Sequence, residues 1–273
     1  YHFFSGKSTL LNTIIGEKLA IVTPKAQTTR KKMIGIFTDD DSQIIFIDTP
    51  GYTEPKDKLN EKLLDNAKSA IKEVDLNLVI VDASRYMREL SEDVVYEISQ
   101  QKKPAILLIN KIDKIKKSYL LPIIDFYRNL YPFDEIIPIS SKYKDGINTV
   151  LDKIKNHLPE GEVIYDMDMI SSQPERVFVE EFIREGIFQN LNKEIPYSTY
   201  VKIVEYQENE DSVDLMAEIF VEKDSQKKIL IGKSGSMIRN IREYSVAQIE
   251  TFLRKQARLK LWVKVDKNWR KDE

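Results

Sequence analysis

Apolar residues follow two kinds of spacing along the first half of the chain. Runs rich in Ile, Leu and Val at Lys32–Phe37 and Gln43–Ile47 predict two strands joined by a Thr38–Ser42 turn. Leu76–Val81 and Ala105–Ile109 predict buried parallel strands, and Glu135–Ile139 a further one. Between them, Leu10–Ile15, Leu59–Val74, Ser91–Lys102 and Ser118–Tyr131 carry helical spacing, and Ile147–Leu158 supplies a last helix ended by Pro159. Strands alternating with helices predict an α/β fold with a doubly wound sheet, its ligand held at the C-terminal ends of the strands.

The pattern then changes. Residues 160–175 hold Glu160, Glu162, Asp166, Asp168 and Glu175 with Gly161 and Pro174 and no basic residue, which predicts an acidic linker. Beyond it, Arg176–Leu191 reads as a helix, Tyr197–Tyr206 and Val213–Glu222 as alternating strands, Gln226–Ile231 and Ser236–Lys255 as helices, and Leu259–Val265 as a strand. The expected organisation is a domain over 1–159, the linker over 160–175, and a smaller α+β domain of order α-β-β-α-α-β over 176–273.

Composition narrows the chemistry. The 273 residues suit two compact domains. With 42% hydrophobic and 32% charged residues and no apolar run of membrane-spanning length, the chain reads as soluble and intracellular. The absence of cysteine excludes disulfides, thiolate zinc sites and cysteine nucleophiles, and His2 and His157 alone cannot build a multi-histidine metal site. A net charge of −2 hides an asymmetry: residues 223–273 carry +8, the remainder −10. A basic C-terminal block fits a polyanion-binding module or a solvated charged helix face, and charge alone does not choose between them.

Four short motifs fall at strand ends. Gly6-Lys7-Ser8-Thr9 precedes an apolar helix, where backbone N–H groups can hold phosphate, Lys7 can neutralise it and Ser8 can ligate Mg²⁺. Asp48-Thr49-Pro50-Gly51 places Asp48 to reach the same Mg²⁺ through water and the Gly51 N–H to sense a γ-phosphate. Asn110-Lys111-Ile112-Asp113 closes a strand; the Asp113 carboxylate matches the N1–H and N2–H₂ of guanine and finds no such donors on adenine, which favours GTP over ATP. Ser140-Ser141-Lys142 follows the next strand and can brace a base-binding loop. Ala26–Arg30 is placed as a switch whose Thr28 or Thr29 completes Mg²⁺ coordination; the sequence does not decide which. Tyr52 stands after Gly51 where many small GTPases have a water-orienting glutamine, so a slow intrinsic rate is expected.

Two features qualify this reading. A complete phosphate loop needs a glycine five residues before Gly6, where Tyr1 stands. Tyr1–Ser5 is therefore either the remnant of a trimmed terminus, which the intact downstream pattern favours, or an altered loop. A second Gly-Lys-Ser occurs in Ile231-Gly232-Lys233-Ser234-Gly235, but Lys227 stands where its loop would need glycine and no guanine motif follows. The alternative is a Gly-x-x-Gly turn between helices that lets a single-stranded RNA backbone approach closely, with Lys227, Lys228, Lys233, Arg239 and Arg242 attracting phosphates. Trp262, Trp269, Tyr197, Tyr200 and Tyr206 are expected as packing residues rather than stacking platforms.

Taken together, Gly-Lys-Ser-Thr-Leu-Leu-Asn12, Ala-Gln-Thr-Thr-Arg30, Asp-Thr-Pro-Gly51, Asn-Lys-Ile-Asp113, Leu-Pro159, Ile-Arg-Glu185, Ile-Pro-Tyr-Ser198, Ile-Gly-Lys-Ser-Gly235 and Leu-Trp-Val-Lys-Val265 resemble the landmarks of the bacterial Era family of ribosome-assembly GTPases, in that family's order. The resemblance spans nearly the whole chain and departs from the family at Tyr1–Ser5 and beyond Trp269. It implies a P-loop GTPase domain followed by a type II KH domain and a cycle of GTP and GDP with Mg²⁺. It also implies binding to the 3′ end of 16S rRNA during 30S subunit assembly, as a monomer in the cytoplasm and partly at the inner face of the membrane. The competing expectation is an RNA-binding assembly module whose nucleotide site is degenerate.

Overall fold

The computed structural model describes residues 5–23, 25, 32–48, 73–88, 92–267 and 269. They fall into two compact units, one of residues 1–19 and 24–172, the other of 20–23 and 173–273. The helix expected over Leu59–Val74 lies almost wholly outside the described residues.

In the first unit α1 (Lys7–Ile15) is followed by the antiparallel hairpin β1 (Met33–Thr38) and β2 (Gln43–Asp48). The hairpin closes because Asp39 accepts the Asp41 and Ser42 N–H groups and the Ser42 hydroxyl at 3.0–3.2 Å, an Asx turn. Then come β3 (Asn77–Asp82), α2 (Glu92–Gln101), β4 (Ala105–Asn110), α3 (Leu120–Leu130), β5 (Glu135–Pro138) and α4 (Ile147–Lys155). Strands β3, β4 and β5 pair in parallel, with β4 central and buried at every residue. Its alternation splits the core. Ile106 and Leu108 pack with Leu10, Ile14 and Ile154 on one face, while Leu107 and Ile109 pack with Ile98, Ile123 and Tyr127 on the other. Helices thus cover both faces, the layering expected of a doubly wound sheet. Among the described residues the strands form two sheets, β1–β2 and β3–β4–β5, joined by the core through Ile44. A cavity of about 870 Å³ runs between them, lined by Gln43–Asp48 and by Leu76, Asn77, Leu78 and Ile80.

The stretch expected as an acidic linker is tied to this unit as far as Ser172. The Gln43 side chain accepts the Ile164 and Tyr165 N–H groups and donates to the Tyr165 carbonyl, Ile36 N–H donates to the Ile170 carbonyl, and Ser171 Oγ donates to the Ile34 carbonyl. Composition suggested a free tether because these partners are supplied by the distant hairpin.

The second unit runs α5 (Glu175–Asn190), β6 (Thr199–Glu208), β7 (Ser212–Val221), α6 (Asp224–Ile231), α7 (Ser236–Leu253) and β8 (Gln256–Val265). This is the expected α-β-β-α-α-β order. Its sheet is β6–β7–β8, antiparallel then parallel, and the buried alternate residues of β7, from Val213 to Val221, lie on the face that α5, α6 and α7 cover. Helix α5 buries four charged side chains, Glu180, Glu181, Arg184 and Glu185. Glu180 accepts the Ile203 N–H at 3.1 Å beside a bulge in β6. Arg184 lies 3.4 Å from Glu181. Glu185 accepts the Val22 N–H at 3.4 Å, which fastens Ala20–Thr23 to this unit, and burial followed by the Glu185 charge pushes the Tyr244 hydroxyl pKa up.

Candidate functional site

The N-terminus of α1 is built by Gly6. Its φ of 92° lies in the left-handed region, and a Cβ there would stand 2.5 Å from Asn110 Nδ2, so only glycine fits against the guanine motif. From this turn Lys7, Ser8 and Thr9 enter the helix, and Leu10 N–H closes its first bond on the Gly6 carbonyl at 2.9 Å. Ser8 Oγ donates to Asp48 Oδ2 at 2.9 Å, so the two residues expected at Mg²⁺ converge although 40 positions apart. Two hard oxygens beside a helix N-terminus suit Mg²⁺, which takes one or two protein oxygens and completes its shell with phosphate and water.

Asn110 ends β4 and joins three segments. Its Nδ2 donates to the Ser5 carbonyl at 2.8 Å. Its Oδ1 accepts the Ser141 N–H at 3.0 Å, the Ser141 hydroxyl at 3.1 Å and the Lys111 N–H at 2.8 Å. The side chain is 1% exposed, so these bonds act in a dry setting where each missing partner would be costly. Thr13 Oγ1 on α1 adds a bond to the Ser141 carbonyl at 3.0 Å. Ser140 Oγ donates to Asp113 Oδ1 at 2.5 Å, leaving that exposed carboxylate oriented by its neighbour. Lys142 lies at the rim over the Tyr143 ring, 4.8 Å from its centroid.

Asp82, which the sequence reading missed, anchors Lys111. It ends β3 opposite Asn110 in register, and its Oδ2 lies 2.7 Å from Lys111 Nζ, while Oδ1 accepts the Ser84 N–H and hydroxyl. Burial alone would raise the carboxyl pKa. The Lys111 ammonium and the Ser84 donors outweigh it and hold Asp82 below the ordinary carboxylate value. The available signal was an acid at the end of an apolar strand, in the same position as Asp48 on β2. Thr28, Thr29, Thr49, Pro50, Gly51 and Tyr52 lie outside the described residues.

In the second unit the Gly232–Gly235 turn links α6 to α7 as expected. Gly232 has φ 74°, and a Cβ there would meet Met237 at 2.7 Å; Gly235 has φ 75° and faces open space. Ser234, at φ 51°, is also left-handed. Lys228, Lys233, Arg239 and Arg242 are exposed around the turn, Lys227 and Ile231 half-buried. Leu230 is buried whereas Ile229 is 49% exposed, an apolar surface beside the turn. Trp269 is buried and stacks on Tyr200, and Tyr197 packs edge-on to Phe188, as packing residues do. Trp262 does not: it is 59% exposed, a correction that the alternation of β8 explains, because it shares the outward face with Arg258, Lys260 and Lys264.

Residues 5–111 match the family described as 50S ribosome-binding GTPase, and residues 194–270 match the KH domain. The chain is 42% identical over 269 residues to the GTPase Era of Ruminiclostridium cellulolyticum, covering 98% of this chain and 90% of that one. It is 40% identical over 270 residues to the GTPase Era of Geobacter metallireducens, with coverages of 98% and 91%. The crystal structure of a single-residue variant of Aquifex aeolicus Era bound to GDP·AlF4⁻ superposes with a TM-score of 0.93 at 37% identity, covering 97% of this chain and 91% of that one. That of Era in complex with MgGDPNP and nucleotides 1506–1542 of 16S ribosomal RNA gives 0.94 at 36%, with coverages of 98% and 92%.

Proposed function

The chain belongs to the Era family of GTPases, and from that premise we propose how its residues divide the work. It is an enzyme that cleaves GTP to GDP and phosphate with Mg²⁺, and its KH unit binds 16S rRNA. In the nucleotide site Gly6, Lys7, Ser8 and Thr9 cradle the phosphates at the positive end of α1, and Ser8 with Asp48 holds Mg²⁺. When bound, Mg²⁺ neutralises charge on the β- and γ-phosphates. Asn110 ties the phosphate loop to the base loop, Lys111 walls the base, Asp113 reads guanine, and Ser140, Ser141 and Lys142 brace that reading. Thr28 or Thr29, with Thr49, Pro50 and Gly51, supplies the part of the site that senses the γ-phosphate.

The observation that carries this reading is the Asn110 network, which fastens Ser5, Lys111 and Ser141 around one buried amide beside the Ser8–Asp48 pair. It is tested by Asp113→Asn. Exchanging acceptor for donor at this position weakens GTP by about 100-fold or more and improves xanthosine triphosphate, because the base edge and the side chain then match again. Equal preference for the two nucleotides in calorimetry would remove Asp113 from base recognition.

The KH unit's task is to clamp single-stranded RNA of the 16S 3′ end over the Gly232–Gly235 turn, with Lys227, Lys228, Lys233, Arg239 and Arg242 on phosphates and Ile231 and Ile229 beside the bases. The protein acts in 30S subunit assembly as a monomer, with a slow intrinsic turnover. It works in the cytoplasm, part of it resting on the inner face of the membrane. No helix among the described residues is long and apolar enough to cross a membrane. Co-sedimentation with 30S particles and cell fractionation test these assignments.

A further inference from the structure

The outer face of the second unit's sheet has no part in the turn described above. Helices α5, α6 and α7 pack on the inner face, where Val213, Leu215, Ala217, Ile219, Val221 and Leu259 are buried. On the opposite face the edge strand β8 presents Arg258, Lys260, Trp262 and Lys264 in succession, every one exposed. Alternate residues of a strand stand roughly 7 Å apart on one face, so this is a straight row of three cations interrupted by one indole.

Trp262 is the informative member. A tryptophan 59% exposed in the middle of a strand leaves a large apolar ring in water, and its ladder partner, Glu218, gives it no aromatic neighbour. The protein's other tryptophan is buried against Tyr200. The cations beside Trp262 differ in what holds them. Lys260 lies across from Met216, a neutral residue. Arg258 forks onto Asp214 at 2.7 and 2.9 Å and Lys264 pairs with Glu218 at 2.5 Å, so a phosphate must compete with these carboxylates, which it can do because both cations remain more than half exposed to water.

We propose that this face is a second nucleic-acid surface, on which Trp262 stacks an unpaired RNA base while Lys260, Lys264 and Arg258 hold the phosphates on either side. An indole flanked by cations on a flat sheet is the arrangement by which single strands are held without sequence readout. The face is separate from the Gly232–Gly235 turn, so one strand or a second segment of the same RNA can engage both. The inference rests on the reading that this unit binds RNA.

Trp262 supplies its own probe, since the buried Trp269 contributes an emission that ligand does not reach. The whole chain is titrated with oligouridylate while tryptophan emission is followed. Binding quenches the emission, Trp262→Ala weakens affinity about tenfold, and Trp262→Phe restores most of it because the ring and not the indole N–H is required. Lys260→Gln with Lys264→Gln flattens the dependence of affinity on salt by about one to two phosphate contacts. Gly235→Asp, whose side chain meets open space although the backbone there is left-handed, weakens binding at the turn and leaves the Trp262 quench in place at higher RNA concentration. Wild-type affinity in Trp262→Ala, together with the loss in Gly235→Asp, would overturn the second surface and keep the turn; the exposed indole would then belong to a protein contact. No binding by the unaltered chain would overturn both.

Discussion

The tripeptide Gly-Lys-Ser stands at residues 6–8 and again at 232–234, and the fold turns the two copies into different instruments. At the first, a single left-handed glycine leads directly into α1, so the lysine and serine lie in the first turn with helix N–H groups beside them. Asp48 on β2 meets the serine, and Asn110 packs on the glycine. At the second, the left-handed region returns at Ser234 and Gly235, the helix does not begin until Ser236, and the lysine and serine point outward from an exposed turn. Both serines carry the same hydroxyl. What separates the proposed metal-and-phosphate site from the proposed nucleic-acid turn is the acid and the amide that distant strands bring to the first.

Removing the lysine from each copy breaks that comparison most sharply. Lys7→Ala is expected to lower GTP hydrolysis by about 100-fold or more, since it deletes the cation at the β/γ charge. Lys233→Ala leaves hydrolysis within about twofold, because the second loop takes no part in it. Equal losses from the two variants in a phosphate-release assay would mean that the loops are not divided as described.

A smaller effect sharpens what holds the first site. Asp82→Asn breaks a largely buried pair with Lys111 and is expected to cost roughly 1–3 kcal/mol of stability at neutral pH. The Asp82 carboxyl is held below its ordinary value of 3.8, so its contribution is complete above that value and is lost as the pH falls below it. Denaturation of wild type and variant should therefore differ by a constant amount near neutrality and converge in acid. A gap that widens below pH ~4 would contradict the ion pair, since a carboxylate with a depressed pKa cannot gain stabilising power on protonation. The smallest effect lies at the second copy, where Lys233→Ala should weaken RNA binding a few-fold and reduce its salt dependence by about one phosphate contact. An unchanged salt slope in filter binding would take Lys233 off the RNA.

These differences also mark what the sequence could show. Asn110, Asp113, Ser8 and Asp48 were legible because each motif sits at the end of an apolar strand or the start of an apolar helix, where local pattern fixes position. Asp82 was not, because a lone acid after Val81 resembles any strand end until Lys111 is placed opposite it. The burial of Glu180, Glu181, Arg184 and Glu185 was not legible, since burial of a charge depends on partners such as the Ile203 and Val22 N–H groups that only the fold supplies. Residues 160–172 read as a tether for the same reason. Trp262 was within reach, because its parity with Lys260 and Lys264 already put it on the polar face of β8.

The first Gly-Lys-Ser and the Asn110 network stand or fall together as a guanine-nucleotide site. Its most direct test is a titration of the chain with fluorescent GDP in Mg²⁺ buffer, competed with unlabelled GDP and with ADP. Saturable binding, displaced by GDP and untouched by ADP at the same concentration, is the expected result. No binding, or equal displacement by ADP, would contradict it.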